Sequence, residues 1–208
     1  MPAPVTAVAP RRWLNGVLAG TLTVMTLCVV QQAAVLFAAD WSASTTRHQL
    51  SKWTQERVTY TDAEWEQARQ DLQAAIDLTP RDATLQDAMA QLHALHGQTV
   101  WTTGADDSPE VAAYRQAMRY QEASIRLRPT HAMAWANLAT MLYAVNGAPE
   151  DLFRAWREAA RLGPKEIDVE NALVAVAADV WPIAPDDVRT WVEARRPGIS
   201  TRLQAQAR

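Results

Sequence analysis

The sequence predicts an all-α chain in which one N-terminal transmembrane helix leads into a short stack of helical hairpins. Three observations carry this. Residues 13–39 form a run of twenty-seven residues without a charge, longer than the about 20 apolar residues that cross a hydrocarbon core about 30 Å thick. Beyond that run, apolar residues recur at helical spacings of three and four. Prolines punctuate these segments at Pro80, Pro129 and Pro164, the last two thirty-five residues apart, as expected when each unit is one helix–turn–helix.

The anchor comes first. Trp13 and Trp41 bracket the uncharged run; on a helix they lie about 42 Å apart, close to the separation of the two interfacial belts of a bilayer. A secretory signal peptide has a shorter apolar core of about 7–15 residues, and Leu36-Phe37-Ala38-Ala39 lacks a small-x-small cleavage site. The run therefore reads as an uncleaved anchor, made rather polar by Thr21, Thr23, Thr26, Gln31 and Gln32. Arg11 and Arg12 abut it, whereas Arg47 and Lys52 lie further off on the other side. The positive-inside rule then puts residues 1–12 in the cytoplasm and the soluble part across the membrane, the periplasm if the cell is a bacterium. Gly16-x-x-x-Gly20 permits close helix approach and offers a route to a homodimer. Cys28 is the single cysteine, so no internal disulfide forms.

Residues 40–60 are polar, with Leu50, Trp53 and Val58 loosely spaced as a stalk or a first helix. Residues 61–194 form the helical repeat domain. Thr61-x-x-Glu64 is a capping box that starts a helix ending before Pro80. Asp82 opens the next, which carries Leu85, Met89, Leu92 and His96 and stops at Gly97. An insertion over residues 97–108 follows, and Asp106-Asp107-Ser108-Pro109-Glu110 starts another helix. After Pro129, the residues Ala132, Trp135, Leu138, Ala139 and Leu142 share one face, and Gly147 of Asn146-Gly147 supplies a left-handed stop. Pro149-Glu150-Asp151 begins a helix bearing Leu152, Phe153, Trp156, Ala159, Ala160 and Leu162, closed by Gly163-Pro164. Residues 165–180 are helical and apolar, with Leu173, Val174 and Ala177 at the packing places. Trp181-Pro182 breaks them, and Pro185-Asp186-Asp187 starts a short capping helix through Trp191. Residues 195–208, with Pro197-Gly198, read as a frayed basic tail.

Trp65-x-x-Ala68-x-x-x-Leu72-x-x-Ala75-Ile76-x-Leu78-x-Pro80 resembles the second helix of a tetratricopeptide repeat. Ala132-x-x-Trp135-x-x-Leu138-Ala139-x-x-Leu142 resembles the first helix of one. Counting back from Pro129, the same places hold Tyr114, Ala117, Gln121, Ser124, Ile125 and Leu127. Gln121 and Ser124 depart from the pattern, which predicts loose packing there. The resemblance implies a tetratricopeptide-like helical-hairpin stack whose first helices line a concave face. That face is expected to carry Thr84, Asp87, Gln91 and Leu95, with Met133, Ala136, Asn137, Thr140 and Tyr143. This mix of amides, Met and Tyr suits an extended peptide or a partner helix. Asn137 stands where such repeats hold a ligand's main chain. Trp101, on the inserted loop, is a second candidate for partner contact, the alternative being that it folds back to cover the end of the hairpin.

Charge and motifs bound the chemistry. Residues 40–194 hold 14 Lys and Arg against 23 Asp and Glu, a net of −9, which disfavours nucleic acid because its binding rests on neutralising phosphates. His93 and His96 lie one helical turn apart, but no cysteine is near, so they read as surface or groove histidines rather than metal ligands. Asp106-Asp107 reads as helix capping. There is no G-x-G-x-x-G, no G-K-[ST] and no G-x-S-x-G. The expectation is a non-enzymatic protein without a cofactor.

A further resemblance covers most of the soluble part. Tyr114-Arg115-Gln116-Ala117, Leu127-Arg128-Pro129-Thr130, Ala134-Trp135-Ala136-Asn137-Leu138-Ala139, Asp151-Leu152-Phe153-Arg154 and Ala160-Arg161-Leu162-Gly163-Pro164, with the late Trp181, are the residues concerned. They are similar to a family of small membrane-anchored repeat proteins of bacterial exopolysaccharide biosynthesis clusters. That similarity implies a scaffold that holds a protein of the polymer assembly or export machinery. A different class of partner would make it a periplasmic chaperone-like adaptor for another envelope pathway, such as cytochrome maturation.

Overall fold

In the computed structural model, which describes residues 10–55, 59–99 and 108–206, the described elements are all helical. Val58, Trp101, Asp106 and Asp107 lie outside the described residues, as does the side chain of Trp13. Helix α1 (Pro10–Gln55) runs unbroken for 46 residues, about 69 Å at ~1.5 Å per residue. Within it, Gly16–Ala38 is 23 residues long with mean hydropathy 1.8, long and apolar enough to cross a membrane, and its apolar surface is not buried inside the protein. The threonines that make this segment polar are satisfied locally. The Thr21, Thr23 and Thr26 hydroxyls donate to the carbonyls of Val17, Ala19 and Leu22 at 2.8–2.9 Å, so each finds its acceptor within the helix.

The last turns of α1 change role. Thr46, Leu50 and Trp53, spaced by four and three, are buried, and Leu50 and Trp53 share a core with Leu72, Ala75 and Ile76 of α2 (Asp62–Leu78) and with Leu85 and Met89 of α3 (Ala83–Thr99). The segment expected as stalk or first helix is thus the continuation of the long apolar helix and the first arm of the first hairpin. The chain then alternates through α4 (Pro109–Leu127), α5 (Ala132–Ala144), α6 (Pro149–Leu162), α7 (Ile167–Asp179) and α8 (Asp186–Arg195). Each helix packs on its sequence neighbour, and α1 also touches α3 as α5 touches α7. A 3-10 turn at Trp181–Ile183 separates α7 from α8.

Local chemistry explains the ends. The Thr61 N–H donates to the Glu64 carboxylate at 2.7 Å and the Glu64 N–H to the Thr61 hydroxyl at 3.3 Å, a closed capping box. The backbone hydrogen bond to Thr61, then the one to its side chain, holds the Glu64 carboxyl below its usual range. Ser108 caps α4, with Pro109 in its first turn. Trp156 is 2% exposed; its indole N–H donates to the Leu173 carbonyl at 2.9 Å, and its ring meets Trp191 edge-on at 4.9 Å.

Several expectations are corrected. Helix α3 does not stop at Gly97 but continues to Thr99. Gly97 is buried because a Cβ there would lie 2.9 Å from the Tyr114 ring and 3.2 Å from the Glu110 carbonyl oxygen, so glycine serves close helix approach. After α5 it is Asn146, at φ 49°, that takes the left-handed conformation. Gly147 instead lies against Leu142 and donates its N–H to the Leu142 carbonyl at 2.8 Å. Gln121 and Ser124 are fully buried rather than loosely packed. The residues expected to fray contain α9 (Ile199–Gln206), whose Ile199 enters the main core. Gly198 turns the chain at φ 78°, and the Glu193 carboxylate accepts from the N–H groups of Gly198 and Ser200 at 2.6 and 3.3 Å. Arg196 ties the preceding turn to Glu170 at 2.5 Å and to Asn171 at 3.0 Å.

Candidate functional site

Because α1, α3 and α5 are the first arms of successive hairpins, their shared side forms a groove. A cavity of about 920 Å³ opens there. Helix α3 contributes Gln91, Ala94, Leu95 and Gln98, residues three and four apart on one face. Helix α5 contributes Asn137, Thr140 and Met141. Trp53 and Thr54 at the end of α1, with Thr59, Tyr60 and Asp62, close the near end. The Trp53 and Tyr60 rings lie 4.8 Å apart, tilted by 37°, and pack together in that wall. Tyr114 reaches the floor from α4. Burial pushes its hydroxyl above the usual pKa, with an opposing hydrogen bond to Gln98, so the ring stays neutral.

The groove is polar without being strongly charged. Gln91, Gln98, Asn137, Thr54, Thr59 and Thr140 offer neutral donors and acceptors, and Asp62 is the charged residue lining it. Amides of this kind match the alternating N–H and C=O groups of an extended main chain, while Leu95 and Met141 offer apolar contact.

The nine residues expected to share this surface divide. Gln91, Leu95, Asn137 and Thr140 converge on the cavity. Thr84 sits at the start of α3, where its N–H and hydroxyl donate to Asp82 at 2.8 and 2.6 Å. Met133 packs on the core and Ala136 is fully buried. Tyr143, at the far end of α5, bonds the Asp179 side chain of α7; burial first, then the charge and bond of Asp179, raise its pKa. Asp87 turns into the seam between α3 and α4, the two arms of its own hairpin. Its carboxylate accepts from the Gln121 amide at 2.9 Å and pairs with Arg128, with His131 3.8 Å away. This polar joint is why Gln121 fits a place that otherwise takes an apolar residue.

Trp53, Tyr60 and Tyr114 also line the groove although no helical-face argument from α3 and α5 reaches them, whereas Gln98 and Met141 continue the faces of Leu95 and Asn137. Extending the hairpin register back to Leu50 and Trp53 would have placed the first two. His93 and His96 lie in an aromatic stack: His96 on Trp65 at 4.4 Å, His93 on Tyr120 at 5.6 Å, and Trp65 edge-on to His93 at 5.5 Å. Burial, with lesser contributions from the charges of Arg69 and His96, lowers the His93 pKa to about 4. Among the described residues no group of three or more His, Cys, Asp or Glu side chains converges as a metal site would. On α1, Trp41 is 71% exposed and stacks on Phe37 at 6.1 Å. Gly16 and Gly20 face open space. No family model matches the chain, and no curated protein matches it.

Proposed function

We propose that this chain is a non-enzymatic, membrane-anchored scaffold whose groove holds an extended segment of a protein partner. The observation that carries the reading is the convergence of Gln91, Gln98, Asn137 and Thr140, from two different hairpins, on one cavity of about 920 Å³. An extended peptide needs such a row of neutral donors and acceptors beside shallow apolar contacts. The exposed apolar helix Gly16–Ala38 supports a single-pass anchor. Arg11 and Arg12 favour a cytoplasmic N-terminus and a periplasmic domain in a bacterial inner membrane. The tetratricopeptide-like registers and the similarity to small repeat proteins of exopolysaccharide clusters support a partner from the polymer assembly or export machinery.

Photo-cross-linking from Gln91 and Thr140 in native membranes tests this. The expected product joins the chain to a polysaccharide synthase or exporter component and is lost in Asn137→Ala. Cross-links from Glu150, outside the groove, that recover the same component with equal yield would overturn the assignment to the groove.

A further inference from the structure

Helices α2, α4 and α6 run parallel, and antiparallel alternation puts the three turns that end them on one edge of the stack. Each presents an exposed apolar pair: Leu78 with Pro80, Leu127 with Pro129, and Pro164 with Ile167. Leu78, Leu127 and Ile167 are 46%, 38% and 61% exposed. Packing does not require them, because Ile76 and Ile125, each 7% exposed, already fill the last core place of α2 and α4. Beside each pair stands an exposed cation, Arg81, Arg126 or Lys165. The carboxylates of the other edge, Asp62, Glu150, Asp151, Asp186 and Asp187, occupy the first turns of α2, α6 and α8.

The height of this edge along α1 is fixed. Thr79, Pro80 and Arg81 of the first turn line a cavity of about 430 Å³ together with Leu36, Asp40 and Arg47 of α1. Leu36 belongs to the apolar segment that ends at Ala38, and Trp41 with Phe37 stands exposed at the same height. The turn edge therefore meets α1 where its apolar segment ends. Isolated leucines beside cations and tryptophan are the residues that the headgroup region of a bilayer favours. Asp77, Asp82, Glu166 and Asp168 also lie near this edge, and Glu122 lies 4.0 Å from Arg126, so its attraction to lipid is apolar in the first place and electrostatic only in the second.

We propose that this edge is a second membrane contact: Leu78, Leu127 and Ile167 seat in the headgroup region of the bilayer that α1 crosses. The stack then extends along the membrane surface, with its far edge and groove facing the aqueous side. The inference rests on Gly16–Ala38 being a membrane span.

The test uses the full chain with Cys28→Ser and one added cysteine, Leu78→Cys, Leu127→Cys or Ile167→Cys, carrying an environment-sensitive fluorophore. Each is reconstituted into vesicles of phosphatidylethanolamine and phosphatidylglycerol. Leu22→Cys reports the span and Glu150→Cys the far edge. All five positions are exposed, and circular dichroism checks that helicity is kept. The expected result is a blue shift and loss of intensity to headgroup-level nitroxide lipids at 78, 127 and 167, with neither at 150. If the label at 22 is quenched by lipid while those at 127 and 167 match 150, the surface contact is overturned and the span stands. If the label at 22 itself stays in water, the span fails and the contact with it.

Discussion

Asp87 shows how one side chain ties the two arms of a hairpin together. Its carboxylate is only 14% exposed, accepts from the fully buried Gln121 and pairs with Arg128. Asp87→Ala strands both partners, and losing a hydrogen bond to a charged group costs about 1.5–3 kcal/mol. Asp87→Asn keeps an acceptor for Gln121 and is expected to lose less. Urea unfolding of the two variants checks the order, with an unchanged slope expected because the surface exposed on unfolding is the same. His93 carries a pH prediction. Its folded pKa lies at about 4 against an ordinary 6.5, so between these values the unfolded chain binds the extra proton. Stability attributable to His93 is therefore fully present above pH about 6.5 and is lost as pH falls toward 4. His93→Phe keeps a ring against Tyr120 and is expected to flatten the slope of stability between pH 6.5 and 4.5. The window below 4.5 belongs to carboxylates such as Glu66, whose hydrogen bond to Arg69 first, and to Gln70 next, holds its pKa at about 2.

Between elements, closeness is set by small residues. A Cβ on Gly163 would lie 2.7 Å from the Cβ of Ala132, so the turn after α6 touches the start of α5. Gly163→Ala forces these apart, and overpacking of this kind costs about 1–3 kcal/mol. Gly163 has φ −115°, a conformation alanine adopts, so the cost is steric and not conformational. Adding Ala132→Gly removes the opposing methyl and is expected to recover part of the loss. Thermal melts of the two singles and the double measure that coupling. Helix ends were legible wherever the chain itself enforces them: Pro80, Pro129 and Pro164 forbid helix, and the Thr61–Glu64 box closes on its own residues. What needed a neighbour was not legible. Gly97 looks like a stop until Tyr114 is seen against it. Asn146 and Gly147 are both left-handed candidates, and only the packing on Leu142 decides that the asparagine turns. The Glu193 carboxylate that organises the start of α9 acts across a turn that reads, in sequence, as Pro197-Gly198 fraying.

At the scale of the molecule, the apolar segment of α1 and the groove are joined by one unbroken helix. The periodicity of α3 and α5 gave Gln91, Leu95, Asn137 and Thr140 as groove residues, because those faces follow from helical spacing alone. It misassigned Asp87 and Ala136 because the rotation of each hairpin depends on partners such as Arg128 that lie a helix away. It also left out Trp53, since residues 40–60 carry too few apolar positions to declare which helix they join. Yet Trp53 is 7% exposed, packs in the first core cluster and forms a wall of the groove with Tyr60. The C-terminal turns of α1 therefore hold the groove together. A fragment beginning at Asp40 keeps Thr46, Leu50 and Trp53 and is expected to fold and to retain the partner cross-link from Gln91. A fragment beginning at Thr59 lacks the first arm of the first hairpin and is expected to lose both. Trp53→Ala in the full chain separates the two effects, because it spares the rest of α1. Removing a buried tryptophan costs about 3–5 kcal/mol, measurable by urea unfolding. The cross-link is expected to fall even at temperatures where the variant is still folded, since the wall at the near end is gone. Cross-linking at full yield in a folded Trp53→Ala protein would place the partner away from the α1 end of the groove.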